Sequence, residues 1–262
     1  MPLNWIDTTQ LSFNNLLLLE RSQLSWLPGW LPEPELALAL QANPVVEWYM
    51  RQKCPEIKSW LDQVCTLKPQ AAGRDAIEAA EQCVLQSMQD LIVYAVDPGI
   101  YDAQPFLNWD SKELTGVVDF RDKIVLDIGA GTGRLALIAA TTAQVVFAVE
   151  PVGNLRYYLK AKSRRLGYEN VYPVDGLITE IPFPDHFAHI TLSGHTFGDH
   201  PTAERRELER VTCPGGMVIL CPGNSDRDDL PHQELVENGY EWSRFEEPRD
   251  GWKRKYWKVM SS

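Results

Sequence analysis

The sequence predicts an α/β protein: a doubly wound, mostly parallel, seven-stranded sheet with a C-terminal antiparallel hairpin, preceded by an all-helical N-terminal region. Three observations predict it. Short apolar, β-branched runs recur through the second half, alternating with helix-forming stretches, the pattern of βαβ units. A glycine-rich turn joins the first of these runs to its helix. The first 115 residues show no strand alternation and are broken by prolines instead. The expected domains are 1–115, helical, and 116–262, carrying the sheet.

In the helical region, Asn14–Leu27 has an amphipathic pattern that ends near Pro28-Gly29. Pro34 fits the first turn of a helix running through Leu40, and Val45–Met50 and Ile57–Val64 read as two more short helices. Arg74–Val96 is the clearest, with Ile77, Ala80, Val84, Leu85, Met88, Leu91 and Ile92 near helical spacing. Trp5, Trp26, Trp30, Trp48 and Trp60 either stitch this helical layer together or line an aromatic substrate pocket. An amphipathic layer also suits an oligomer face, such as a homodimer formed through these helices.

At 262 residues the chain can hold one large domain and an accessory region. Its net charge of −11 argues against general affinity for nucleic-acid backbones. The acidity is uneven: residues 1–115 carry seven Lys/Arg against fifteen Asp/Glu, and the remainder eighteen against twenty-one. Five cysteines (Cys54, Cys65, Cys83, Cys213, Cys221) with no Cys-x-x-Cys pair suggest thiols in a reducing compartment, with neither disulfides nor a metal site. The opening lacks a basic segment followed by an apolar core, and no apolar run approaches the roughly 20 residues of a membrane span. No membrane partner and a cytoplasmic location are the expectations.

The informative stretch is Ile124–Arg134, Ile-Val-Leu-Asp-Ile-Gly-Ala-Gly-Thr-Gly-Arg. Ile124–Leu126 reads as a strand buried on both faces, with the Asp127 carboxylate at its C-terminal end. Gly129, Gly131 and Gly133 then lead into the helix-forming Leu135–Ala140. Dinucleotide folds place glycine at the first, third and sixth positions of this turn. Counted from Gly129 the sixth is Arg134, which weakens a nicotinamide-cofactor reading. A second buried strand, Gln144–Val149, ends at Glu150-Pro151, about twenty residues on, where an acid can accept from both hydroxyls of a ribose. A basic helix, Asn154–Leu166, capped by Asn154 and stopped by Gly167, presents Arg156, Lys160, Lys162, Arg164 and Arg165 as a solvated face. Strand Asn170–Val174 ends at Asp175-Gly176. Strand Ala188–Leu192 leads into the loop Ser193–His200, and helix Thr202–Val211 precedes Cys213-Pro214-Gly215-Gly216 and strand Met217–Cys221. After a helix over Asp228–Gly239, Tyr240–Glu246 and Trp252–Met260 form the closing hairpin, whose Lys253, Arg254, Lys255 and Lys258 read as edge-strand protection.

The spacing acidic-x-Gly-x-Gly-x-Gly at Asp127–Gly133, with Glu150 after the second strand and Arg210-Val211-x-x-Pro-Gly-Gly before the fifth, resembles class I, Rossmann-like, S-adenosylmethionine-dependent methyltransferases. The resemblance covers roughly 116–260. It implies S-adenosylmethionine as cofactor and S-adenosylhomocysteine as product. It also implies a cofactor site built from Asp127, Gly129, Ala130, Gly131, Thr132, Gly133, Glu150, Pro151, Asp175, Gly176, Leu177 and Ser193. Asp127 and the loop amides would hold the methionine end, Glu150 the ribose and Asp175 the adenine amino group, with Leu177 and Ile178 flanking the ring. Tyr101 is a candidate to pack over the sulfonium, as an aromatic face attracts a cation, or else a turn aromatic on the core.

The resemblance leaves the acceptor open. The Ser193–His200 loop has neither the Asn/Asp-Pro-Pro-Tyr/Phe signature of nucleobase and glutamine enzymes nor the paired glutamates of arginine methyltransferases. Cys221 reads as a core thiol. His195 is the candidate general base, oriented by Asp199 or His200, or else a loop histidine satisfying backbone groups. A small-molecule oxygen or nitrogen acceptor is the favoured expectation. A protein methyltransferase, or a non-catalytic cofactor-fold module binding a protein partner, are the alternatives.

Overall fold

Prolines and leucines together shape the N-terminal elements. In the computed structural model, which describes residues 5–67, 73–223 and 225–261, the chain divides into two units, Met1–Tyr101 and Asp102–Ser262. The first holds α1 (Arg21–Ser25), α2 (Glu33–Ala42), α3 (Pro44–Lys53), α4 (Lys58–Thr66), α5 (Arg74–Ser87) and α6 (Gln89–Val96). Proline sits in the first turn of α2 and α3, where its missing N–H is not needed. Two sequence-based expectations change. Asn14–Leu27 is not one helix but a 3-10 turn, Phe13–Leu18, followed by the short α1, because Leu19 and Glu20 adopt extended backbone. Arg74–Val96 breaks at Met88 (φ −117°, ψ 22°) into α5 and α6.

The first unit's core is aliphatic. Leu16, Leu19, Leu24, Leu27, Leu36, Leu40, Leu61, Leu85 and Ile92 are fully buried together. The tryptophans expected to stitch the layer stand at its margin: Trp26, Trp30 and Trp48 are exposed, and Trp60 packs on the core's edge while its Nε1 donates to Glu33 Oε1 at 2.7 Å.

A short helix α7 (Pro98–Asp102) spans the division, which falls earlier than the sequence placed it. Residues 102–115, including α8 (Lys112–Thr115), cluster with the second unit: Trp109 and Leu114 are buried in its core. That unit's sheet has the order β3-β2-β1-β4-β5-β7-β6, with β1 (Ile124–Ile128), β2 (Val145–Val149), β3 (Val171–Val174), β4 (Ala188–Ser193), β5 (Thr212–Leu220), β6 (Glu241–Glu247) and β7 (Gly251–Val259). β1 through β5 pair in parallel, and β7 joins them antiparallel through Met217↔Val259 to Leu220↔Tyr256.

Helices cover both faces. α9 (Arg134–Ala140) and Leu159 of α10 (Gly153–Arg165) bury one side with Val125, Val146 and Ile190. α11 (Pro201–Val211) and α12 (Leu230–Glu237) bury the other with Leu126, Val149 and Val218. The Cys213–Gly216 segment, which the sequence placed before the fifth strand, is absorbed into β5 as a register shift opposite Ala188 and Ile190. Among the described residues no helix is long and apolar enough to cross a membrane, and no cluster of three or more His, Cys, Asp or Glu is arranged to hold a metal.

The basic series on the hairpin has a different cause from the one expected. β7 is not an edge; β6 is. Each cation of β7 meets a carboxylate: Lys253 with Asp250 (2.6 Å), Arg254 with Asp226 (2.8 Å), Lys255 with Glu113 (2.7 Å) and Lys258 with Glu209 (2.9 Å). Their side chains are only 7–23 % exposed, so pairing rather than repulsion of other chains explains them.

Candidate functional site

The C-terminal ends of β1 and β2 lie side by side, with Asp127 opposite Ala148 and Ile128 opposite Val149. Switch points of open parallel sheets bind ligands at this end, and β1 lies between β2 and β4, where the strand order reverses. The turn after β1 needs glycine. Gly129, Gly131 and Gly133 have φ of 71°, 54° and 89°, in the left-handed region that side chains disfavour. A Cβ on Gly129 would also fall 2.2 Å from Thr196 Cγ2.

Four of the turn's amides, those of Gly129, Ala130, Gly131 and Gly133, are spent on the fold. Gly129 and Ala130 donate to the Val149 carbonyl (2.8 and 3.0 Å), and Gly133 donates to Ala130 (2.8 Å). Gly131 donates to Glu150 Oε2 at 2.8 Å, while Glu150 Oε1 accepts from Val152 at 2.9 Å. Asp127 Oδ2 accepts from Ala136 in the first turn of α9 at 2.8 Å, and Oδ1 is buried with no partner. Both carboxyls are almost wholly buried. Burial is the main cause that raises each to about 7. For Asp127 the Ala136 amide opposes it and the Glu150 charge adds to it; for Glu150 the Val152 and Gly131 amides oppose it.

Arg134, the residue that departs from the dinucleotide spacing, has a local explanation. Its guanidinium lies over the Trp109 ring, 5.0 Å from the centroid, and donates to the Trp109 carbonyl at 2.5 Å. Pro151 is half-buried, Ala130 and Thr132 are buried, and Lys162 donates to the Thr132 carbonyl (3.2 Å) while pairing with Asp102 (2.5 Å). The basic helix is therefore not simply a solvated face. Arg156 donates to the Glu150 carbonyl (2.6 Å) and to Asp175 Oδ1 (2.8 Å). Nor does Asn154 cap α10: Val152 is the capping residue, with no side-chain cap, whereas Gly167 (φ 82°) stops the helix as expected.

Asp175 follows β3 with a side chain 75 % exposed, and Leu177 is exposed beside it. Gly176 is packed so closely that a Cβ would fall 2.6 Å from Pro182 Cδ. Ser193, at the end of β4, is buried, and its hydroxyl is hydrogen-bonded to that of Thr196. Tyr101 belongs to the first unit, where its ring meets Tyr94 edge-on (4.9 Å) and Trp5 tilted (5.8 Å).

The loop after β4 departs most from expectation. His195 is not held by Asp199 or His200. Its Nε2 lies 2.8 Å from Glu247 Oε1, at the end of β6. Its backbone is left-handed (φ 58°), its N–H donates to Pro222 at 3.0 Å, and its ring meets Phe106 edge-on at 5.5 Å. The buried Glu204 of α11 fixes the rest of the loop, accepting from Gly198 (2.7 Å) and His200 (2.8 Å). His195, Ser225, Arg227, Asp229 and Lys253 line a cavity of about 300 Å³. Cys221 is a buried thiol pushed up to about 12 by burial, consistent with a core residue. Glu247 was missed because it lies 52 residues along the chain from His195, and Glu204, in the first turn of α11 directly after the loop, because no motif marks it.

Residues 126–220 match a methyltransferase domain family. Over 109 residues the chain is 32% identical to an uncharacterized methyltransferase, YcgJ, of Bacillus subtilis, covering 40% of this chain and 43% of that protein. Over 73 residues it is 36% identical to the histone-arginine methyltransferase CARMER of Drosophila erecta, covering 28% of this chain. It spans only 14% of that Drosophila protein's length. Among solved structures, one from the complex between the Haloferax volcanii Trm112 methyltransferase activator and a methyltransferase superposes with a TM-score of 0.51 at 15% identity. That alignment covers 64% of this chain and 94% of the other, and at this identity it speaks to the fold. Residues 126–220 thus match a methyltransferase domain, and the second unit shares its fold with a solved structure from a methyltransferase complex.

Proposed function

We propose that the second unit transfers the methyl group of S-adenosylmethionine to an oxygen or nitrogen of a small molecule, leaving S-adenosylhomocysteine. The observation that carries this reading is the buried Glu150 carboxylate tied to the glycine turn through Gly131, beside an Asp127 oxygen that has no partner. These residues fit the cofactor. Each Glu150 oxygen accepts one amide and keeps a lone pair for a ribose hydroxyl. Asp127 Oδ1 is an acceptor waiting for a donor. The turn Gly129–Gly133 offers bare backbone for close approach, the amides of Gly129, Ala130, Gly131 and Gly133 being engaged internally.

Asp175, Gly176 and Leu177 at the end of β3 suit the adenine, with Asp175 held by Arg156, and Pro151 and Ser193 bound the pocket's walls.

When bound, the cofactor supplies an activated methyl group on a sulfonium. The chain's task is then alignment, an effect that can be worth about 7–11 kcal/mol. His195 takes the acceptor's proton. A titration with S-adenosylmethionine, S-adenosylhomocysteine and NAD tests the reading. The first two should bind and NAD should not; failure of both adenosyl ligands would leave a non-catalytic module as the better account. The Drosophila match favours, as a second reading, a protein acceptor. The Ser193–Asp199 loop carries His195 and no glutamate, which supports the small molecule.

A further inference from the structure

We propose that Glu247 is a positioning residue that fixes the tautomer of His195, and that the methyl acceptor is accordingly protic: a hydroxyl or a primary or secondary amine. The proposal rests on the reading of this unit as a methyltransferase with His195 as its base. Glu247 is fully buried, ends the edge strand β6 and sits opposite Gly251. Its Oε1 is 2.8 Å from His195 Nε2. An ionised carboxylate only accepts hydrogen bonds, so the imidazole hydrogen resides on Nε2 and the lone pair on Nδ1. Its other oxygen has Lys253 Nζ at 3.8 Å, and Lys253 is itself held by Asp250 at 2.6 Å. That cation supplies the compensating charge a buried carboxylate needs.

The rest of the loop grips His195 as well. A left-handed backbone, an N–H donated to the Pro222 carbonyl and the T-shaped contact with the Phe106 ring constrain it from three sides. A side chain oriented by a buried acid, on the wall of a cavity of about 300 Å³, matches a base oriented by a third group. With Nε2–H committed to Glu247, Nδ1 is the atom that receives a proton. The acceptor's lone pair forms the new bond to the methyl carbon, the carbon–sulfur pair stays with sulfur, and the acceptor's proton passes to Nδ1. The resulting imidazolium is stabilised by Glu247. An acceptor without a proton to lose would have no use for this arrangement.

Nitrogen-15 NMR of the imidazoles in the full chain, at a pH where they are neutral, reads the tautomer directly, with His195→Gln assigning the signal. The parent should show His195 protonated at Nε2 alone. Glu247→Gln keeps the side chain's shape but lets the partner donate as well as accept, so the signal should move toward a mixture; Glu247→Ala should move it further. A parent signal from the Nδ1–H form, or a signature unchanged in Glu247→Gln, overturns the positioning role. Methyl transfer to thioethers or tertiary amines alone, in a screen that includes phenols, alcohols and amines, overturns the acceptor class. Calorimetric binding of S-adenosylhomocysteine, which these substitutions should leave unchanged, reports separately on the underlying reading: its absence in the parent removes that reading, whereas the tautomer result stands by itself.

Discussion

Gly131 N–H donates to Glu150 Oε2 at 2.8 Å, so the acid after the second strand and the turn after the first form one closed unit. The glycine turn's shape and the carboxylate's orientation depend on each other. Removing Glu150 frees the amides of Gly131 and Val152 and, on the proposed function, also deletes an acceptor for the cofactor's hydroxyls. Losing charge-assisted bonds costs about 1.5–3 kcal/mol, or roughly ten- to 150-fold in affinity. Glu150→Ala should weaken S-adenosylhomocysteine by that factor in calorimetry; an unchanged Kd would exclude Glu150 from the site.

The same two carboxyls make the ligand-free protein sensitive to pH. Burial raises Asp127 and Glu150 to about 7 from 3.8 and 4.5. With a raised folded pKa, the folded chain keeps protons that the unfolded chain has released. The pair's contribution to stability is thus complete below about pH 4 and is lost as pH rises through about 7. Melting temperature without ligand should therefore fall between about pH 4 and 7, and Glu150→Gln should flatten the fall. Cofactor affinity should run the other way, rising over the same interval, because the ionised carboxylates are the better acceptors.

Gly129→Ala tests the turn. The new Cβ would meet Thr196 Cγ2 at 2.2 Å and sit on a residue with φ 71°. Thr196 is hydrogen-bonded to Ser193, so moving it disturbs the loop that carries His195. A destabilisation of about 1–3 kcal/mol is expected in urea unfolding, together with loss of cofactor binding.

Arg210 serves the fold from outside the cofactor site. It pairs with Glu207 (2.7 Å) and Asp185 (2.9 Å) and donates to the carbonyls of Phe183 (2.8 Å) and Ile181 (2.9 Å). These bonds tie α11 to the segment leading into β4. Its side chain is 30 % exposed, so solvent screening tempers the loss. Arg210→Ala should cost about 1–3 kcal/mol in chemical denaturation, while Arg210→Lys, which cannot fork to both carboxylates, should recover only part of it.

Much of this architecture was legible in sequence because it depends on local periodicity. Buried parallel strands read as apolar runs, and a turn that demands positive φ reads as glycine, which is why β1, β2 and the turn at Gly129, Gly131 and Gly133 are visible in the chain alone. The helical region was less legible: extended backbone at Leu19 and Glu20, and the break at Met88, lie within continuous amphipathic patterns that nothing local interrupts.

What the sequence determined by itself was the succession of strands and helices in the second unit and which residue types end β1, β2 and β3, since each is a matter of a few adjacent residues. The tertiary structure alone decided which side chains meet. Glu247 reaches His195 from 52 residues away because β7 pairs with β5 and carries β6 beside it. Lys253, Arg254, Lys255 and Lys258 likewise became ion-paired interior residues instead of an edge guard once β7 was enclosed between two strands. Hydrogen bonds and ion pairs act over about 3–4 Å in space, and separation along the chain carries no information about them until the fold has closed.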